Sequence, residues 1–147
     1  MERHTISFMD LGRMMHEVLR LFKKRSELQP YEDIRISTEQ ISILHALSRT
    51  EEEVIQKDIA ETMGKDKSAI LRQIDCLEEK GLVRRVAALE DRRKNYVMVT
   101  KLGRRVIDHY LGLVYQIMEE LQEGLTPEEL EVFTKVVTTI RMNAAKK

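Results

Sequence analysis

The sequence predicts a mainly α-helical fold with a small β-wing, a winged helix-turn-helix flanked by long amphipathic helices. Three observations carry this expectation. Apolar residues recur at helical spacing over long segments at both ends of the chain. Between them, a short helical stretch, a glycine turn and a second helical stretch follow one another over residues 56–80. Directly afterwards come two β-branched stretches separated by a charged tip, the pattern of a hairpin with an extended loop. The 147 residues suit one domain with a usable core.

Each element has its own local reason. Over residues 6–24, Phe8, Leu11, Met15, Val18, Leu19 and Phe22 form one face of a long helix. Gly12 weakens its interior by about 1 kcal/mol relative to alanine, so packing must support it. Residues 26–35, with Pro30, read as a loop. Ser37-Thr38-Glu39-Gln40 has the form of a capping box and starts a second helix carrying Ile41, Leu44 and Leu47. Residues 50–53 read as a solvated turn, and Val54-Ile55 as a very short strand. The next helix, over residues 56–63, turns Ile59, Ala60 and Met63 inward, and Gly64 suits its left-handed C-cap. Asp66 caps the following helix, which runs to about residue 80 and stops at Gly81. Ile70, Ile74 and Leu77 form its apolar stripe, while Lys67, Ser68, Leu71, Arg72 and Asp75 fall on the other side.

The hairpin pairs residues 82–88 with 96–100 around a polar tip; no Asn-Gly turn is present, so the tip is an extended loop. A long helix over residues 100–123 follows. Thr126-Pro127-Glu128-Glu129 then starts the last helix, with a capping box and proline at the first helical position. That helix carries Leu130, Phe133, Val136, Val137 and Ile140.

Composition narrows the function classes. With 42% hydrophobic and 34% charged residues the chain is neither disordered nor fibrous. No run of about 18 apolar residues exists, so no membrane span is expected, and the charged start Met1-Glu2-Arg3-His4 is unlike a signal peptide. The single Cys76 excludes an internal disulfide and fits a reducing, cytoplasmic setting. Eight methionines point to a deformable apolar pocket. The formal net charge is zero. It hides a division: residues 63–105 hold twelve Lys/Arg against six Asp/Glu, a balance of +6, and the remainder holds thirteen against nineteen, or −6. A concentrated basic segment is what contact with the phosphates of double-stranded DNA requires.

Other chemistry finds no support. His4, His16, His45 and His109 lack the spacing of metal ligands. No nucleophile–base pair, glycine-rich phosphate loop or zinc-binding cysteine set occurs, so neither an enzyme nor a cofactor is expected. Asp75, Glu78 and Glu79 surround Cys76 in sequence and disfavour a reactive thiolate, so a structural cysteine is favoured over an oxidant sensor.

Leu77-Glu78-Glu79-Lys80-Gly81-Leu82-Val83-Arg84-Arg85, followed from Asp91 by Arg92-Arg93-Lys94-Asn95-Tyr96-Val97-Met98-Val99-Thr100-Lys101-Leu102-Gly103, closely resembles the MarR family (multiple antibiotic resistance regulators). Val99 stands where that family usually has leucine. Ser37-Thr38-Glu39-Gln40 and Asp58-Ile59-Ala60 match two further elements, and the resemblance covers nearly the whole chain.

The resemblance implies a homodimer. Its winged-helix unit would span about residues 36–101, on an intertwined helical dimerisation frame of about 5–26 and 102–145, all within one domain of residues 1–147. It implies a repressor on a pseudo-palindromic operator, released by a small aromatic effector. By position, Asp91 would orient Arg93 into a minor groove, whose narrow form attracts arginine, with Arg92 and Lys94 on phosphates. Asp66, Lys67, Ser68, Ala69, Arg72 and Gln73 would lie on the recognition helix. Arg72 suits a guanine edge, Gln73 lies nearer the apolar stripe, and amides near Ser68 suit a phosphate. Met14, Met15, His16, Tyr31, His45 and Tyr110 are candidates to line an effector cleft. The alternative is a winged helix used as a protein-interaction module without a DNA target, its basic wing meeting an acidic partner.

Overall fold

Short polar side chains set where the helices begin, because each takes up an amide that has no partner inside the helix. In the computed structural model, which describes residues 7–28, 30–31, 33–50, 54–91 and 95–147, Ser7 caps α1 (Phe8–Ser26) by accepting from the Asp10 amide at 3.3 Å. Lys23, Lys24 and Arg25 in its last turn suit the negative end of the helix dipole. Ser37 caps α2 (Thr38–Ser48) with both halves of the expected box present: its Oγ accepts from the Gln40 amide at 3.1 Å, and its own amide donates to Gln40 Oε1 at 3.3 Å.

β1 (Val54–Ile55) leads directly into α3 (Gln56–Met63). Gly64, at φ +61°, ends α3, with Lys65 donating back to the Ala60 carbonyl at 3.1 Å. Asp66 caps α4 (Lys67–Glu79) by accepting from the Ala69 amide at 3.1 Å. Gly81, at φ +71°, turns the chain into β2 (Val83–Ala87), which pairs with β3 (Asn95–Val99). α5 (Lys101–Leu121) and α6 (Pro127–Ala145) follow, and Thr126 and Glu129 complete the second expected capping box.

The hairpin carries a third strand. The sheet order is β1-β3-β2 and both pairings are antiparallel, with Val54 opposite Val97 and Val83 opposite Val99. The two-residue strand expected at Val54-Ile55 therefore makes β3 central, and Val97 is buried accordingly. Of the solvated turn expected at 50–53, residues 51–53 lie outside the described residues.

The chain divides into two compact units, Met1–Val114 and Tyr115–Lys147. The core of the first gathers Ile43, Leu44 and Leu47 of α2, Ile59 and Ala60 of α3, and Ile70, Ile74 and Leu77 of α4 with Leu82, Val83, Val97, Val106 and Ile107. This burial holds α4 by its stripe and turns the opposite face outward. At the junction after the sheet, Thr100 donates its amide to the Leu82 carbonyl at 3.0 Å and its hydroxyl to the Gly81 carbonyl at 2.6 Å. Gly103 donates its amide to the Thr100 hydroxyl at 3.0 Å, so one threonine ties the start of α5 to the turn before β2.

The end helices differ from this packed centre. Neither α1 nor α6 has a buried residue. Phe8, Met9, Met15 and Leu19 of α1 are exposed, as are Val132, Phe133, Val136, Val137, Ile140 and Met142 of α6. So much contiguous apolar surface on a helix face marks an interaction site.

Candidate nucleic-acid interface

The outward face of α4 is made by its period. With Ile70, Ile74 and Leu77 fully buried, Lys67, Ser68 and Arg72 project into solvent and Ala69 is half-buried. Among the described residues Arg72 is tethered by a long Nε contact to the Ser68 carbonyl at 3.4 Å. Asp66 spends its carboxylate on the cap. Gln73 is half-buried beside the stripe: its Oε1 accepts from Gln40 Nε2 at 2.9 Å and its Nε2 donates to Glu39 Oε2 at 3.2 Å.

Acidic residues near this face are engaged within the protein. Glu39 pairs with Lys65 at 2.8 Å. Arg85 of β2 reaches back to α4, donating to Asp75 at 2.6 Å and to Glu78 at 3.0 Å, while Glu78 also accepts the Arg85 amide at 2.8 Å. These contacts dock the hairpin on the helix and hold three carboxylates against cations, which leaves the exposed Lys67 and Arg72 to set the field at the helix start.

At the hairpin, Asp91 is half-buried and Leu89 fully exposed. Arg92, Arg93 and Lys94, the other expected wing contacts, lie outside the described residues. Cys76 is exposed, where a structural cysteine was expected. At about 100° per residue it sits roughly 120° from Ile70 around the helix, outside the stripe. Among the described residues no cluster of His, Cys, Asp or Glu could hold a metal ion, and no helix is long and apolar enough to cross a membrane.

A second concavity lies within the first unit. The end of α1, Tyr31 with the loop residues 33–36, and the middle of α5 enclose a cleft of about 650 Å³. Tyr31, His109 and Tyr110 line it, with Lys23, Asp33 and Arg35 among its charged groups. The Tyr31 and His109 rings meet edge to face at 5.5 Å between centroids. His109 Nε2 is buried and has no hydrogen-bond partner among the described residues. Burial raises the Tyr110 phenol above its ordinary pKa, so its hydroxyl stays protonated and able to donate at neutral pH. Of the cleft candidates from sequence, Tyr31 and Tyr110 line this space; Met14, Met15 and His16 are exposed on α1, and His45 lies on α2 away from the lining. Sequence reasoning missed His109. Its one signal was a place beside Tyr110 on an otherwise apolar helix face.

The geometry so far is that of a helix-turn-helix with a docked hairpin. Residues 36–94 match the model of the MarR family. The winged-helix unit is therefore similar to that of the MarR family. A MarR-family transcriptional regulator from Rhodococcus sp. RHA1 is 27% identical, with a TM-score of 0.67 over 92% of this chain and 96% of that one. The transcriptional repressor CouR, solved on a 23-mer DNA duplex, is 25% identical with a TM-score of 0.72, over 90% and 89% of the two chains. MepR of S. aureus, solved as a DNA complex, shares the fold at 21% identity, with a TM-score of 0.75 over 95% and 99%. One of these relatives is named a transcriptional regulator and one a transcriptional repressor, and two are solved with DNA. By this likeness α3 and α4 correspond to the helix-turn-helix of that family, α4 to its recognition helix, and β2 and β3 to its wing.

Proposed function

We propose that the protein is a cytoplasmic, homodimeric repressor that binds a pseudo-palindromic operator in double-stranded DNA and is released by a small aromatic effector. The observation that carries the reading is the recognition helix: its apolar stripe is fully buried while Lys67, Ser68 and Arg72 are exposed on its first two turns. In a helix-turn-helix the N-terminal residues of the second helix meet base edges in the major groove. The +6 balance of residues 63–105 supplies the phosphate term. The exposed apolar faces of α1 and α6 support a second copy as their cover, which would set two recognition helices about one DNA turn apart. Asp66, Lys67, Ser68, Ala69 and Arg72 form the major-groove group of this reading, and Asp91, Arg92, Arg93 and Lys94 the wing group.

A mobility-shift titration with a duplex from the protein's own promoter region tests it. Wild type is expected to bind with an affinity that falls steeply with salt. Arg72→Ala and Arg93→Ala are each expected to weaken binding by roughly 10- to 100-fold, the cost of about 1–3 kcal/mol per specific contact. Binding equal to wild type in both variants would remove these arginines from the interface.

The cleft supports the effector part of the reading. Aromatic walls, the unpartnered His109 Nε2, the protonated Tyr110 hydroxyl and the cations Lys23 and Arg35 suit an aromatic carboxylate. Substituted benzoates serve as probes in the same assay. They are expected to release wild type from DNA at concentrations that leave His109→Leu bound; equal release of both would move the effector elsewhere.

A further inference from the structure

Gln40 is a polar side chain inside the core, 6% exposed. Its Oε1 accepts from Lys80 Nζ at 2.8 Å and from the Ser37 amide, and its Nε2 donates to Gln73 Oε1 at 2.9 Å. Gln73 in turn donates to Glu39, and Glu39 pairs with Lys65. Lys80 also donates to the Arg35 carbonyl. The direction of this chain is fixed by its ends. Lysine can only donate and a carboxylate only accept, so Lys80 at one end and Glu39 at the other orient both amides between them.

The network holds α4 from one place. The first turn of α2 grips the turn before α4 through Lys65, its middle through Gln73 and its C-cap through Lys80. Both ends of the Gln73 amide are thereby occupied within the protein. A glutamine that reads adenine uses both ends of its amide on the base; here that would strip Gln40 of its acceptor inside the core, a disfavoured outcome. Arg72, one residue earlier, faces solvent.

We propose that Gln73 is a positioning residue for DNA binding: through Gln40 and Glu39 it sets the angle of the recognition helix against α2, and it reads no base. This rests on the DNA-binding reading above. The hydrogen bonds form a part-buried network around the buried Gln40, which favours one arrangement over its neighbours.

The test uses the full-length protein and a duplex that wild type selects from a random pool, together with single-base variants of that duplex. Gln73→Glu sets a carboxylate against Glu39 and is expected to weaken binding roughly ten-fold on every duplex alike. Gln73→Met keeps the volume without the hydrogen bonds; it is expected to act in the same direction, and it serves if Gln73→Glu fails to fold in a thermal melt. The exchange E39Q/Q73E restores a donor opposite an acceptor and is expected to recover affinity to within about three-fold of wild type. Arg72→Ala, in contrast, is expected to relax selectivity at one position of each half-site. Selectivity relaxed at a base position by Gln73→Met, or no recovery in the exchange variant, overturns the positioning role alone. Failure of wild type to select any duplex overturns the DNA-binding reading and this role with it.

Discussion

Gly103→Ala is expected to destabilise the protein by about 3 kcal/mol and to lower the melting temperature by roughly 6–12 °C. A Cβ at this position would stand 2.0 Å from the Leu82 carbonyl oxygen and 2.9 Å from both the Leu82 carbonyl carbon and Val99 Cγ1. The first two are backbone atoms that cannot swing aside. Leu82 is fully buried, and its carbonyl is the acceptor for the Thr100 amide. Relief therefore means separating α5 from the turn before β2 and breaking the Thr100 bridge between them. The Thr-x-x-Gly end of the motif thus has a physical meaning: threonine supplies the tie and glycine permits the approach. Thermal denaturation followed by circular dichroism measures the effect, and Gly112→Ala is the control, since nothing lies within 4 Å of its added Cβ. Equal melting of the two variants would mean that the junction tolerates a side chain.

Phe133→Asp is expected to abolish dimerisation and, with it, tight operator binding. Phe133 is 53% exposed on a helix that carries no buried residue. If a second copy covers this face, the substitution places a carboxylate in an apolar interface, and two-fold symmetry counts it twice. At roughly 3 kcal/mol per copy the loss is about 6 kcal/mol, or some four orders of magnitude in the dimer Kd. Sedimentation equilibrium reads the association and the mobility-shift titration reads the DNA. A monomer has no such interface, so the same substitution on an exposed side chain would change stability little. A monomeric wild type would therefore refute the homodimer, and a variant that stays dimeric would take Phe133 out of its interface.

Much of the fold was legible because its rules are local. A cap, a helical period and a glycine stop each act over about four residues. Ser37-Gln40, Thr126-Glu129, Gly64 and Gly81 accordingly behave as their surroundings in the chain require. The stripe Ile70, Ile74 and Leu77 announced which side of α4 would be buried and so which side would be free. Sequence neighbours alone left open where Cys76 sits around the helix; it points to solvent. His109 was missed for a related reason. Its isolation from other histidines argued against a metal, but its value lies in Tyr31, a residue 78 positions earlier that shares no local pattern with it.

The sequence by itself determined the order of elements, the winged helix-turn-helix with its basic segment, and the family motif that follows α4. Only the tertiary structure decided which partners Gln73 and Gln40 bind and how the cleft is lined. It also decided why position 103 has room for nothing larger than hydrogen. The reason is distance along the chain. Gln40 meets Gln73 across 33 residues and Lys80 across 40, and such pairs exist only once the core has brought α2 and α4 together. Local rules specify which surfaces each element offers; packing selects which of them meet.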